Sequence, residues 1–133
     1  MLRKSLDDER LMKCDACEVL RQSFYIGPTG RVLPCMSLEG TPAGDEFPSL
    51  FEERLVDILS DSHYTRMADA RVGDVFRRDP ECMECEYRGR CGAGCRAMAV
   101  GAHGNDYLAR DERTCMILKE HWTEQIEEAI REF

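Results

Sequence analysis

Four cysteines fall within fourteen residues in the segment CMECEYRGRCGAGC, where Cys82, Cys85, Cys91 and Cys95 are spaced C-x2-C-x5-C-x3-C. Four more, Cys14, Cys17, Cys35 and Cys115, bring the total to eight. A C-x2-C pair lets two sulfurs converge on one ion or one cluster edge, so the eight divide into two four-thiolate sites with none left over. A disulfide scaffold fits poorly. Cysteine makes up about 6% of the 133 residues, below the roughly 8–10% of such scaffolds, and the opening MLRKSLDDER has no apolar stretch of a secretory signal. No apolar run approaches the roughly 20 residues that cross a bilayer, which leads us to expect a cytoplasmic, reducing setting with no membrane partner.

The spacing leaves the metal open. The knot is not a single ordinary zinc ribbon, because its third and fourth cysteines follow after only five and three intervening residues rather than across a long loop. Gly92 and Gly94 favour the bulkier iron-sulfur core, which needs close backbone approach, although glycines there also make plain turns. A redox-active dithiol calls for a C-x-x-C beside a βαβ unit, and none is visible. The formal net charge of -8 argues against a general phosphate-backbone binder, hence no nucleic-acid partner. Charge does not separate zinc from iron-sulfur, since two dications and two cubane cores offset the thiolates equally.

The elements that must position these thiols are legible in part. The polar lead-in, residues 1–13, reads as a short helix or a frayed end, and the domain proper is expected over 14–133. SFYIGPTGRVLPC reads as two short strands around a turn, a hairpin that brings Cys35 back toward Cys14 and Cys17. Residues 36–48 read as loop. Ser49 and Glu52 fit a capping box for a helix whose face carries Leu50, Leu55, Ile58 and Leu59. A weaker helical stretch from Tyr64 to Phe76 is interrupted by Gly73 and closed by Pro80. CRAMAVG predicts a short helix stopped at Gly101, and Leu118, Trp122, Ile126, Ala129, Ile130 and Phe133 predict one long C-terminal helix with Trp122 as its core anchor. The fold class is therefore a small α+β domain nucleated by its clusters: hairpin, capped helix, two-cluster cysteine knot and long terminal helix.

The order C-x2-C, Gly30-x4-Cys35, Cys82-x2-Cys85-x5-Cys91-x3-Cys95 and a distant Cys115, with YIGPTGRVLPC and CGAGCRAMA, resembles the SPASM domain. That domain is the C-terminal auxiliary-cluster module of radical SAM enzymes that modify peptides and cofactors. The resemblance implies two 4Fe-4S clusters, with two zinc ions as the alternative. It further implies that Cys14, Cys17, Cys35 and Cys95 hold cluster I while Cys82, Cys85, Cys91 and Cys115 hold cluster II, so that the quartets interleave. The radical SAM triplet C-x3-C-x2-C is missing, because Met98 stands where Cys91 and Cys95 would need a third cysteine. The chain is accordingly expected to be a non-catalytic domain of a radical SAM enzyme, cut from it or acting beside it, with no catalytic residue of its own. Fully cysteine-ligated clusters have no open iron, so the resemblance implies electron relay and help in positioning a peptide or small precursor. Its partners would be a radical SAM barrel in the same or another chain, that substrate, and a redox donor. A sulfatase-maturing relative carries an acid after the third cysteine, whereas Cys35 here precedes Met36. A free two-cluster electron carrier and a zinc-stapled interaction module are the alternatives.

Several other residues invite two readings. Met36, Met83 and Met116 follow ligand cysteines and either shield a cluster or fill the core. Arg88, Arg90 and Arg96 either offset cluster charge, receive an acidic electron donor, or form a solvated rim. His63, His103 and His121 are assigned surface or packing roles, because the cysteine tally is already complete. Asp106 and Asp111 read as turn residues, with substrate contact as the other option.

Overall fold

Leu11 turns the polar start of the chain into a packed element. In the computed structural model, which describes residues 8–133, helix α1 (Asp8–Lys13) buries Leu11 and lies against α5 (Val72–Arg78). Residues 1–7 of the expected lead-in lie outside the described residues. Gly73 sits within α5 rather than interrupting it, and its lack of a side chain is what the packing needs: a Cβ there would stand 2.9 Å from the Met12 carbonyl oxygen. The break falls earlier, at Ala70 and Arg71, between α4 (His63–Asp69) and α5. There the chain is extended and pairs with the first cysteine loop, Ala16 N–H donating to the Ala70 carbonyl at 2.9 Å and Val72 N–H to the Cys14 carbonyl at 3.0 Å. Tertiary pairing overrides helix continuity at this point.

Between them, α2 (Val19–Gln22) leads into a hairpin of β1 (Tyr25–Ile26) and β2 (Val32–Leu33), antiparallel with Tyr25 opposite Leu33 and Ile26 opposite Val32. Gly30, at φ +73°, supplies the left-handed residue that closes its turn. The hairpin matches expectation; the capped helix after it does not. Ser49 is buried, and its hydroxyl donates to the Thr29 carbonyl at 3.0 Å while accepting from Phe51 N–H at 3.2 Å. A serine engaged with the hairpin turn cannot start a helix, and α3 (Leu55–Ser60) begins six residues later without a side-chain cap. Of its apolar residues only Ile58 is buried. The true capping box opens α4, where Ser62 and Thr65 exchange side-chain to backbone bonds.

Pro80 likewise opens rather than closes a helix: it occupies the first turn of α6 (Pro80–Met83), capped by Asp79. The knot continues through α7 (Arg88–Cys91) to α8 (Arg96–Ala102), which runs past Gly101 and stops at His103. The expected long C-terminal helix is two, α9 (Glu112–Lys119) and α10 (Trp122–Arg131), broken at His121 in the left-handed conformation, φ 55°. The break splits the apolar stripe. Leu118 is buried, but Trp122, Ile126 and Ile130 are 45%, 58% and 67% exposed, so Trp122 is not the core anchor that its spacing indicates.

Among the described residues the apolar interior divides in two. Leu20, Val32, Leu33, Leu38, Phe47, Ile58, Tyr64, Met67 and Val100 form the larger core, with Cys17 and Cys35 packed against it. Leu11, Val72, Val75, Phe76 and Ala93 form the smaller one, with Cys14 and Cys82 packed against it. Burial thus predicts opposite outcomes for two aromatic truncations. Phe47→Ala removes a fully buried ring and should cost about 3–5 kcal/mol. Trp122→Ala, half exposed on α10, should stay within about 0.5 kcal/mol of the parent. Thermal unfolding without oxygen distinguishes them.

Candidate metal centre

The smaller core ends in a small cavity of about 30 Å³, and four of the eight cysteines line it: Cys82, Cys85, Cys91 and Cys115. The elements explain how they meet. Cys82 rides on α6, whose Asp79 cap holds Glu81 N–H at 3.0 Å; Cys85 lies in the following turn, its N–H on the Cys82 carbonyl at 3.3 Å. Cys91 ends α7, which packs against α9, and α9 carries Cys115. Val75, Phe76, Ala93 and Leu118 make the apolar part of the wall, while Arg88, Arg110 and Lys119 add cationic side chains. Arg88 is tethered by Asp8 and by the Met83 carbonyl at 2.6 Å, and Arg110 by Asp79 at 3.0 Å and Glu81 at 2.7 Å. Thiols, apolar walls and fixed cations together suit an anionic, sulfur-ligated group.

Among the described residues, no three His, Cys, Asp or Glu side chains close on a point that one metal ion would fill. A polynuclear cluster takes each thiolate on a different metal atom rather than converging all four on one ion. Burial and the neighbouring Asp79 push the Cys82 thiol up to about 11, and burial also raises Cys91. Both are therefore protonated at neutral pH without metal, and ligation must release their protons.

The other four cysteines are held by different means. Cys14 and Cys17 flank the loop paired to Ala70 and Val72, and Asp15 within it binds both Arg71 and, at 2.8 Å, Arg21. Cys17 and Cys35 share the larger core. Cys95 precedes α8, which touches the one-turn helix at Met36–Leu38 that follows Cys35. Cys14 stands somewhat apart, packed on the smaller core with its thiol donating to the Arg10 carbonyl at 3.2 Å.

Between Cys91 and Cys95 the backbone makes a left-handed turn of three successive residues, Gly92, Ala93 and Gly94, at φ 54°, 72° and 69°. Asp111 locks it. One carboxylate oxygen accepts from Cys95 N–H at 2.8 Å and from the Thr114 hydroxyl at 2.7 Å, and the other caps α9 through Arg113 and Thr114 N–H at 3.1 and 3.3 Å. Burial pushes the Asp111 carboxyl up, but these donors outweigh it and hold it below the usual range. Asp111 is thus a structural clamp, and Gly94 is explained by it, since a Cβ there would lie 2.7 Å from Asp111. Asp106 is structural too, paired with Arg78 and accepting from Leu108 N–H at 3.1 Å.

Arg96 departs most from the basic-rim reading: it is 1% exposed. Its Nη1 donates to the carbonyls of Tyr107 at 2.9 Å and Ala109 at 2.7 Å, and its Nη2 to Ala93. Arg90 does belong to the surface, paired with Glu124 at 2.6 Å. Met36 and Met116 are 71% and 45% exposed and fill no core, whereas Met83 packs beside Cys82. His63 packs at 4.5 Å between ring centroids on Phe47, and His103 lies near Glu112 on the surface. Nothing in the sequence marked Asp111 as the link between Cys95 and Cys115, or Arg96 as buried; the only signal was their position beside ligand-type cysteines.

A family model described as SPASM, iron-sulfur cluster-binding domain, matches residues 17–86, more than half of the chain and including Cys17, Cys35, Cys82 and Cys85. No match was found among curated proteins or among solved structures.

Two measurements probe this arrangement. Gly94→Ala forces a left-handed alanine into contact with Asp111 and should cost more than about 1–2 kcal/mol, while Gly89→Ala, in α7 with nothing within 4 Å, should be neutral or slightly stabilising; melting temperatures read the contrast. For Cys82 the folded thiol titrates above its unfolded value of 9.0, so the fold binds more protons than the unfolded chain between about 9 and about 11. Burial of this thiol therefore stabilises the metal-free fold below pH 9, and that contribution is lost as pH rises to about 11. Circular dichroism of metal-free protein across that window, with Cys82→Ala as reference, should show a loss that the variant lacks.

Proposed function

As the chain belongs to the SPASM family of iron-sulfur cluster-binding domains, we propose that it is an auxiliary domain carrying two 4Fe-4S clusters, relaying electrons for a radical SAM maturase and helping to place a peptide or small precursor. The observation that carries this reading is the cavity shared by Cys82, Cys85, Cys91 and Cys115, the quartet that the family's ligand order assigns to one cluster. Cys14, Cys17, Cys35 and Cys95 are the proposed ligands of the other. When bound, such clusters supply one-electron transfer and, with four cysteine ligands each, offer no open iron to substrate.

The chain's own residues do the rest. Val75, Phe76, Ala93 and Leu118 keep water from the cavity wall, and Arg88, Arg110 and Lys119 hold positive charge beside it. Asp111 fixes the relation between Cys95, in one proposed quartet, and Cys115, in the other. The missing third cysteine at Met98 assigns radical initiation to another domain or chain.

Protein purified without oxygen should contain about eight iron and eight sulfide, absorb broadly near about 400 nm and hold no stoichiometric zinc. Two zinc ions and no colour would replace the proposal with a zinc-stapled module. The interleaving has its own signature. Cys115→Ala and Cys91→Ala should each remove about half the iron and the same electron-resonance signal, while Cys95→Ala, despite its neighbour Cys91, should remove the signal lost in Cys17→Ala.

A further inference from the structure

A fully buried guanidinium is an expensive group to place away from water, and its neighbours usually show what it is for. Arg96 makes no ion pair with any carboxylate among the described residues; its three partners are neutral carbonyls. Asp111 is the nearest candidate, yet both of its oxygens are taken by Cys95, Arg113 and Thr114. The Arg96 Nε–H, moreover, is buried with no hydrogen-bond partner among the described residues, and a buried donor left unmade is costly.

The position of this group is specific. Arg96 follows Cys95 directly at the start of α8, and its Nη2 holds the carbonyl of Ala93, a residue that lines the cavity of Cys82, Cys85, Cys91 and Cys115. It is therefore anchored to both proposed quartets.

Resting on the two-cluster reading, we infer that Arg96 is a positioning residue between the sites, its free Nε–H donating to a thiolate or sulfide sulfur and its fixed charge making the adjoining cluster easier to reduce. The carbonyl contacts orient the guanidinium plane and occupy three of its five N–H donors, and the Nε–H, buried without a partner, is left to meet sulfur once a cluster is bound. Adding an electron adds one negative charge without a proton, and a buried cation stabilises that product more than the oxidised form. Removal of the cation therefore lowers the reduction potential.

The test uses the full chain loaded with iron without oxygen and reduced by dithionite as the one-electron donor. Wild-type iron and sulfide content is read first, and colourless wild-type protein would end the two-cluster reading and this inference with it. In loaded wild type carrying arginine with 15N in the guanidinium, pulsed electron resonance should show a nitrogen coupling to the reduced cluster that follows the isotope. The coupling should vanish in Arg96→Lys, although Arg88 and Arg110 remain on the cavity wall. Arg96→Gln with wild-type iron content should shift the oxidised-to-reduced ratio at the wild-type midpoint at least tenfold toward oxidised, about 59 mV for a one-electron couple. Arg96→Lys, which keeps the charge but not the Nε–H, should shift it less in the same direction. Should Arg96→Gln fail to take up iron, the labelled wild type and Arg96→Lys decide. A loaded wild type without arginine coupling, or a fully loaded Arg96→Gln at the wild-type potential, overturns the inference.

Discussion

The chain reversal at Gly92, Ala93 and Gly94 is the constraint on which the site depends. Three successive left-handed residues are costly for L-amino acids, and two of the three are glycine. The reversal takes the backbone from Cys91, on the wall of the cavity, to Cys95 at the head of α8 within five residues. It is held from outside the turn, by the Asp111 carboxylate on Cys95 N–H and by the Arg96 guanidinium on the Ala93 carbonyl. Because Asp111 also caps α9, the same carboxylate sets where Cys115 stands.

This clamp works between two small cores rather than within one large one. The larger core carries the hairpin, α4 and α8 with Cys17 and Cys35 at its edge; the smaller carries α1 and α5 with Cys14 and Cys82. Neither is extensive, and much of the joining is polar: the Asp15 network to Arg21 and Arg71, the pairing of residues 14–16 with 70–72, and the carbonyl contacts of Arg96. Polar joints of this kind are individually modest. Such an architecture gains from any group that cross-links the two halves, because metal–thiolate binding supplies free energy comparable with the stability of a whole domain.

The exposed stripe of α10 shows the limit of periodicity as a signal. Helical spacing correctly indicates an amphipathic helix from Trp122 onward, but it contains no statement of what lies opposite. The left-handed His121 turns α10 out of line with α9, so Leu118 is buried while Trp122, four residues on, is not. Ser49 failed as a cap for a related reason: its hydroxyl found a partner twenty residues away at Thr29 before it could serve its own helix. Gly73 looked like an interruption and is a contact surface, its missing Cβ occupied by α1.

The sequence by itself determined the ligand inventory and the family: eight cysteines in pairs and a knot, an acidic chain, the hairpin around Gly30, and the family those spacings mark. Side-chain chemistry and short-range spacing are written locally, so they can be read locally. Only the tertiary structure decided that Cys82, Cys85, Cys91 and Cys115 share a cavity, that Asp111 ties Cys95 to the helix of Cys115, and that Arg96 is a buried cation rather than a surface one. Those facts depend on which distant backbone groups arrive beside a side chain, and burial, charge and hydrogen-bond satisfaction are properties of that meeting rather than of the residues alone.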